Sequence, residues 1–383
     1  MPGGVDNPAT PSGGNTYDRR VCLDLPRLGW QVHELAVPGT WPQPDSAARA
    51  ELARILRESA DGSLVLLDGI VACAVPDIIV PEAERLRLAV LVHLPLGDET
   101  GLPSSRAAVL DAMERTTLRA VSAVVATSGW AADRLVDHHG LVPGRVHVAA
   151  PGADIAPLAT GTTSTTGVPR LLCVATVTPR KGQRRLVESL AAVADLPWSL
   201  VCAGGLDQAP EYVARLRKLI AQLGLTDRVH LAGPRTGPEL DATYAAADLL
   251  VLTSYAETYG MAVTEALARG VPVLATAVGG LPEAVGHAPD GSVPGVLVPP
   301  DDPAALIAAL RGWLGEPGVR GRLAAAARGR RTALAGWDTT TRNLAGALEQ
   351  LRQEQPQVQP QQQPQVQPQV QVQAQAQEPR RTA

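Results

Sequence analysis

Leu249-Leu250-Val251-Leu252-Thr253-Ser254-Tyr255-Ala256-Glu257-Thr258-Tyr259-Gly260-Met261-Ala262-Val263-Thr264-Glu265-Ala266-Leu267 is the stretch on which the fold turns. A short apolar run ends at Ser254 and a helix begins near Gly260, so a buried strand feeds a helix through a polar loop. The same unit recurs along the chain. Before it lie the runs Ser63–Asp68, Leu88–His93, Val121–Thr127 and Val146–Ala150, alternating with helical stretches near 45–59, 104–119 and 129–139. Around it lie Arg170–Ala175, Ser199–Ala203, Arg228–Ala232, Val271–Ala275 and Gly295–Val298, alternating with helical stretches near 182–194, 210–223, 237–247, 260–269 and 302–315. Strands this short and apolar suit parallel sheets covered on both faces, so the chain reads as α/β with two doubly wound, Rossmann-like domains facing a cleft.

Composition sets the boundaries. The polar, small run Thr160–Gly167 divides the chain into an N-terminal domain over 1–152, a linker over 153–168 and a C-terminal domain over 169–335, with a last helix over 336–352. From Gln353 to Ala383, Gln fills 14 of 31 positions, and a segment with scarcely any branched or aromatic residue to bury is expected to be a disordered tail. Lys and Arg total 34 against 38 Asp and Glu, a net charge of −4 that argues against a nucleic-acid partner. No apolar run approaches the ~20 residues of a membrane span, and the N-terminus has no signal-peptide pattern, so the expected location is cytoplasmic. The stretch Ser104–Arg119 carries a net charge of only +1, weak support for a membrane-surface helix. Cys22, Cys73, Cys173 and Cys202 stand singly in apolar surroundings and read as reduced thiols, not as a metal centre.

The start departs from the pattern. Ser12-Gly13-Gly14-Asn15 reads as a Gly-rich turn near a phosphate, but no strand precedes it. In the common strand order that strand is interior, so the expectation is a gap in the first sheet and a true start lying upstream of this sequence.

The candidate chemistry sits at strand ends. Glu257 occupies the loop after Leu249–Ser254, Glu265 lies further along the following helix, and the amides of Gly260, Met261 and Ala262 at that helix start form an anion site by geometry and dipole. Singly, each carboxylate also reads as a solvated or capping residue; together with Gly260 they read as a ligand site. Arg180 and Lys181, after the strand Arg170–Ala175, place two cations where a diphosphate leaving group would gather charge, and Lys181 is one of only two lysines in the chain. The open alternative is a turn whose cations face water. His93 closes a strand of the first domain, either as a structural residue or facing the cleft with a ring nitrogen for a sugar hydroxyl. Gly279-Gly280-Leu281-Pro282-Glu283 is placed to wall the pocket or simply to turn. Asp301-Asp302 before Pro303 reads as a helix cap.

From about Arg170 to Leu314 the chain resembles the donor domain of retaining GT-B glycosyltransferases, the large family numbered four. The resemblance rests on Glu257 and Glu265 spaced as E-x7-E, on Pro179–Gly182, on Ala268–Val273 and on Gly279–Glu283; the N-terminal half is similar more loosely, through Ser12–Tyr17 and His93-Leu94-Pro95. It implies a nucleoside diphosphate sugar as donor substrate, no metal and no separate cofactor, and a small-molecule, glycan or lipid acceptor. It further implies that Glu265 holds the ribose, that Glu257 contacts the transferred sugar, and that Lys181 with the Gly260, Met261 and Ala262 amides holds the diphosphate. Gly13 and Gly14 would close on that diphosphate from the other domain, His93 would line the sugar pocket, and base recognition would lie around Gly233-Pro234-Arg235. Where the family has an arginine five residues before the lysine, this chain has Thr176, with Arg180 as the candidate replacement. Two other readings remain open at this point: a nucleotide-sugar epimerase of the same fold, and a sugar-nucleotide-binding protein with weakened catalysis.

Overall fold

A computed structural model describes residues 1–7, 11–99, 102–162 and 167–353; the Gln/Pro-rich segment from 354 onward lies outside them. The first domain contains β1 (Leu64–Asp68), β2 (Arg87–Val92), β3 (Ala123–Ala126) and β4 (Val146–Val148), all parallel, in the order β1-β2-β3-β4. The second contains β5 (Arg170–Val174), β6 (Ser199–Ala203), β7 (Val229–Gly233), β8 (Leu249–Leu252), β9 (Val273–Thr276) and β10 (Gly295–Val298), ordered β10-β9-β8-β5-β6-β7 and again all parallel. The central strands are buried nearly throughout, as strands covered on both faces must be.

The second sheet decides where a ligand can sit. From β5 the chain winds outward through β6 and β7, then returns to the other side of β5 as β8, β9 and β10. β5 and β8 therefore flank the switch in winding direction, and the crevice beyond their carboxyl ends is where doubly wound sheets bind ligands. The loops that leave these two strands carry Lys181 and Glu257.

Two expectations about the start are corrected. Gly13 and Gly14 do not make a separate turn: they open the helix Gly13–Asp24, because Ser12 caps it and accepts the Asn15 amide at 3.1 Å. Nor is there an interior gap in the first sheet. Its four strands pair without interruption, β1 stands at an edge, and Met1–Gly3 instead bond to Val37, through Gly3 N to Val37 O at 2.7 Å and Val37 N to Met1 O at 2.9 Å.

The described part of the linker lies along the second domain, with Ala159 and Thr160 amides bonded to Arg269 and Ala245 carbonyls and Thr162 bonded to Asp248. The last helix, Trp337–Gln353, crosses back to the first domain. Its Leu344, Leu348 and Leu351 pack with Tyr17, Val21 and Leu25 and with Leu91 and Val125 of the sheet, and Thr340 donates to the Ala150 carbonyl at 2.7 Å. Cys73, Cys173 and Cys202 are buried free thiols and Cys22 is partly buried. Asp302 caps the helix Pro303–Gly315 through the Ala305 amide. Among the described residues, no helix is long and apolar enough to cross a membrane.

Candidate active site

The turn after β5 and the loop after β8 are tied into one unit. Pro179–Lys181 form a single 3-10 turn, the Thr253 hydroxyl donates to the Gly182 carbonyl at 2.9 Å, and the Tyr255 amide donates to the Arg180 carbonyl at 2.8 Å. Gly182 has φ +69, and a Cβ there would lie 2.0 Å from the Thr253 carbonyl oxygen, so only glycine permits this approach. The result places Lys181 Nζ 2.6 Å from Glu257 Oε1, which also accepts the Ser254 hydroxyl at 2.8 Å. Burial pushes the Glu257 carboxyl up, but the Lys181 and Arg180 charges and the two hydrogen bonds outweigh it and hold it below the usual glutamate range.

The Gly279–Glu283 segment supports this loop and also reaches the other domain. The Gly280 amide donates to the Glu257 carbonyl at 3.0 Å, while Glu283 accepts the Gly129 amide, also at 3.0 Å, at the start of the first-domain helix Gly129–His139. Thr258 donates to the His93 carbonyl and accepts the Ser128 hydroxyl. Arg180 hydrogen-bonds the Ala256 carbonyl at 3.2 Å and Glu99 of the first domain at 3.1 Å. Arg180 thus braces the Glu257 loop against the opposite wall.

Gly260, at φ +101, precedes the helix Met261–Ala268, whose first amides receive no side-chain cap. The uncapped end faces the first domain: a Cβ on Gly13 would lie 3.0 Å from Met261 Sδ, and Met261 packs against the core cluster that contains Tyr17. One turn further, Glu265 accepts the Tyr244 hydroxyl at 2.7 Å. Burial raises its carboxyl above the usual range despite that hydrogen bond and the nearby Arg269. Glu257 and Lys181 are therefore brought together, whereas Glu265, on the same helix-and-loop unit, is engaged by a separate partner. Gly233 ends β7, two strands from β5, at the same carboxyl edge, and Arg235 follows it. At the position of the absent arginine, the Thr176 carbonyl accepts Gln183 Nε2 at 3.0 Å.

His93 lies beyond β2, its ring against Gly14 and edge-on to Tyr17 at 5.3 Å. Its Nε2 is 2.8 Å from Asp18 Oδ1. Burial lowers the His93 pKa, but Asp18 and the charge of Asp68 outweigh it, and the net direction is upward. Asp68, at the end of β1, is pushed up to about 6 by burial and by Asp18, partly offset by His93 and by the Ile70 amide it caps at 2.8 Å.

The sequence profile described as Glycosyl transferases group 1 matches residues 161–330. Residues 161–330 are a group 1 glycosyltransferase domain. Proteins similar to this chain include the D-inositol 3-phosphate glycosyltransferase of Salinispora arenicola, 34% identical over 273 residues that cover 66% of this chain and 59% of the relative. That of Corynebacterium efficiens is 36% identical over 188 residues, covering 44% and 43%. The chain spans little more than half the length of the curated relatives it matches first, 59% and 55%. Among solved structures, sucrose-phosphate synthase from Thermosynechococcus elongatus superposes with a TM-score of 0.73 at 22% identity, over 91% of this chain and 97% of that one. Anabaena Alr3699/HepE in complex with UDP and glucose gives 0.69 at 21% identity, over 89% and 97%. These likenesses establish the GT-B fold.

Several residues of this site escaped the sequence reading. Asp18 and Asp68 had a usable signal, since Asp68 ends one apolar strand as His93 ends its neighbour and so shares its edge. Arg185 had none: it is buried, donates to the Thr253 carbonyl at 2.8 Å and lies 4.0 Å over the Tyr255 ring, behind the Lys181 turn. Tyr244 and Ser254, the partners of the two glutamates, are ordinary core and strand-end residues until the sheet brings them into place.

Proposed function

We propose that this chain transfers a hexose from a nucleoside diphosphate sugar to an acceptor hydroxyl, with retention at the anomeric carbon and without a metal. The observation that carries the reading is the Lys181–Glu257 pair at 2.6 Å, set beyond β5 and β8 next to an uncapped helix start. A diphosphate placed on the Met261 helix start lies within reach of Lys181, which exchanges its carboxylate partner for phosphate oxygens as the leaving group gains charge. Glu257, freed of that partner, then faces the cationic ring of an oxocarbenium-like transition state. The acceptor oxygen bonds to the anomeric carbon, the bond from that carbon to the diphosphate oxygen breaks, and the acceptor proton passes to that departing oxygen. Lys181, Arg180 and the helix start supply the positive charge. Glu265 holds the ribose, Gly233 and Arg235 the base side, and His93 the sugar; the reading needs no cofactor besides the donor substrate.

A thermal-shift screen of nucleoside diphosphate sugars tests it. A donor at 100 times its Kd stabilises the fold by about 2.7 kcal/mol. The shift should appear for at least one nucleotide sugar and persist in EDTA. Transfer should then be followed with polyol, glycan and lipid acceptors, beginning with phosphorylated cyclitols because the relatives' name points there. Turnover of the donor without any acceptor would overturn the assignment in favour of an epimerase, and binding without product on any acceptor in favour of a binding protein.

A further inference from the structure

Asp18, Asp68 and His93 bring one ligand atom each within 4.8 Å of one another, from a helix and two strand ends of the first domain. We propose that Asp18 and Asp68 are positioning residues that clamp His93 through Nε2 and leave its Nδ1 toward the cleft between the domains. The inference rests on the proposed function only for what Nδ1 meets there, a sugar hydroxyl.

Asp18 is 5% exposed, and only one of its oxygens has a conventional donor: Oδ1 faces His93 Nε2, while Oδ2 is buried and has no N–H or hydroxyl opposite it. Besides His93, the polar side chain beside Asp18 is Asp68, with a carboxylate oxygen within 4.8 Å of one of Asp18's. Two carboxylates cannot both be ionised in such contact, and a single proton held between them satisfies Asp18 Oδ2. The raised Asp68 pKa is the companion of that geometry. Asp68 accepts the Ile70 amide on one side and donates its proton to Asp18 on the other. The other Asp18 oxygen, Oδ1, accepts Nε2–H.

The carboxylate on Nε2 determines which nitrogen of a neutral imidazole carries hydrogen, so Nδ1 is left with a lone pair. Nδ1 makes no hydrogen bond within the described residues. Tyr17 presents its ring edge-on to the imidazole and donates its hydroxyl to the Ala149 carbonyl at 2.8 Å, so it does not compete. Arg19 and Arg20 of the same helix are held by Asp6 and Glu34 and by Asp154, and the Thr258 hydroxyl of the second domain is spent on the His93 carbonyl. Among the described residues no arginine or lysine pairs with the trio, and the proton shared between the carboxylates offsets their charge.

Nitrogen-15 NMR of His93 in the full chain tests the clamp without relying on turnover. The wild type should show the Nε2–H form above the His93 titration, with a midpoint above that of a free histidine. In Asp18→Asn the midpoint should fall and transfer should slow by about tenfold or more, while binding of the nucleoside diphosphate itself is kept. Asp68→Asn places an amide N–H toward Asp18 and an oxygen toward Ile70, so it should keep the Nε2–H form and remove the inflection near pH 6 from the rate profile. An Nδ1–H form in the wild type, or a midpoint unmoved in Asp18→Asn, overturns the clamp. So does a shift of the His93 resonances on adding Mg2+ or Zn2+ that is lost in Asp18→Asn, since the trio would then be a cation site. A clamp seen by NMR with no transfer from any nucleotide sugar supports the positioning role and overturns the proposed function instead.

Discussion

Lys181 and Glu257 show how a single buried pair serves two purposes. Their side chains are 16% and 10% exposed, so neither charge is well solvated without the other. Lys181→Met should cost about 3 kcal/mol at pH 7, because it strands a buried carboxylate. The sign with pH follows from the lowered Glu257 pKa: its contribution is present above the unfolded value near ~4.3 and is lost as pH falls through the folded value. Urea melts at pH 7 and pH 3.5 should therefore separate wild type and variant more widely at the higher pH than at the lower. Glu265 behaves in the opposite way, since burial raises its pKa and its ionised form is the disfavoured one. Glu265→Gln keeps an acceptor for Tyr244, so stability at pH 7 should hold while donor affinity drops about tenfold, the worth of one charge-assisted hydrogen bond. Calorimetric titration with the donor, beside a thermal melt, distinguishes the two effects.

At the level of elements, the loop that carries Glu257 is held by close backbone contact. Gly279 has φ +56, and a Cβ there would fall 1.7 Å from the Glu257 carbonyl oxygen, far inside contact distance. Gly279→Ala should lower stability by at least about 2 kcal/mol, since the strain of a left-handed non-glycine adds to a displaced loop. Donor binding should weaken with it. Gly4→Ala, at a glycine with open space around it, is the control that should change neither. The β/α alternation around this loop was legible in the sequence because short apolar runs and capped helices are local patterns; strand ends moved by one or two residues, as in Leu249–Leu252 against the expected Leu249–Ser254. Ser12 as a helix cap was also present in the sequence, but the two glycines after it read equally well as a turn until the Asn15 amide was seen to bond it.

Across the whole molecule, two crossings join the domains: the linker and the helix Trp337–Gln353. That helix buries Leu344 completely and Leu348 nearly so against the first domain, although it follows the second in sequence. Leu344→Ala should cost about 3 kcal/mol. Hydrogen exchange should localise the loss to the helix Gly13–Asp24 and its neighbours, leaving the second sheet protected. Equal loss in both domains would mean that they unfold as one unit.

The sequence by itself determined the two α/β domains, the acidic and cationic residues at strand ends, and the motifs that match a known family. Each is encoded within a window of about twenty residues, by periodicity, capping chemistry and spacing. Only the tertiary structure decided that Lys181 meets Glu257 and that Tyr244 meets Glu265. It alone also showed that Asp18 from a helix and Asp68 from a separate strand converge on His93, and that the last helix belongs to the first domain. These contacts depend on strand order and on a chain crossing between domains, and strand order is set by how apolar faces are buried across the whole sheet, a quantity no local window contains.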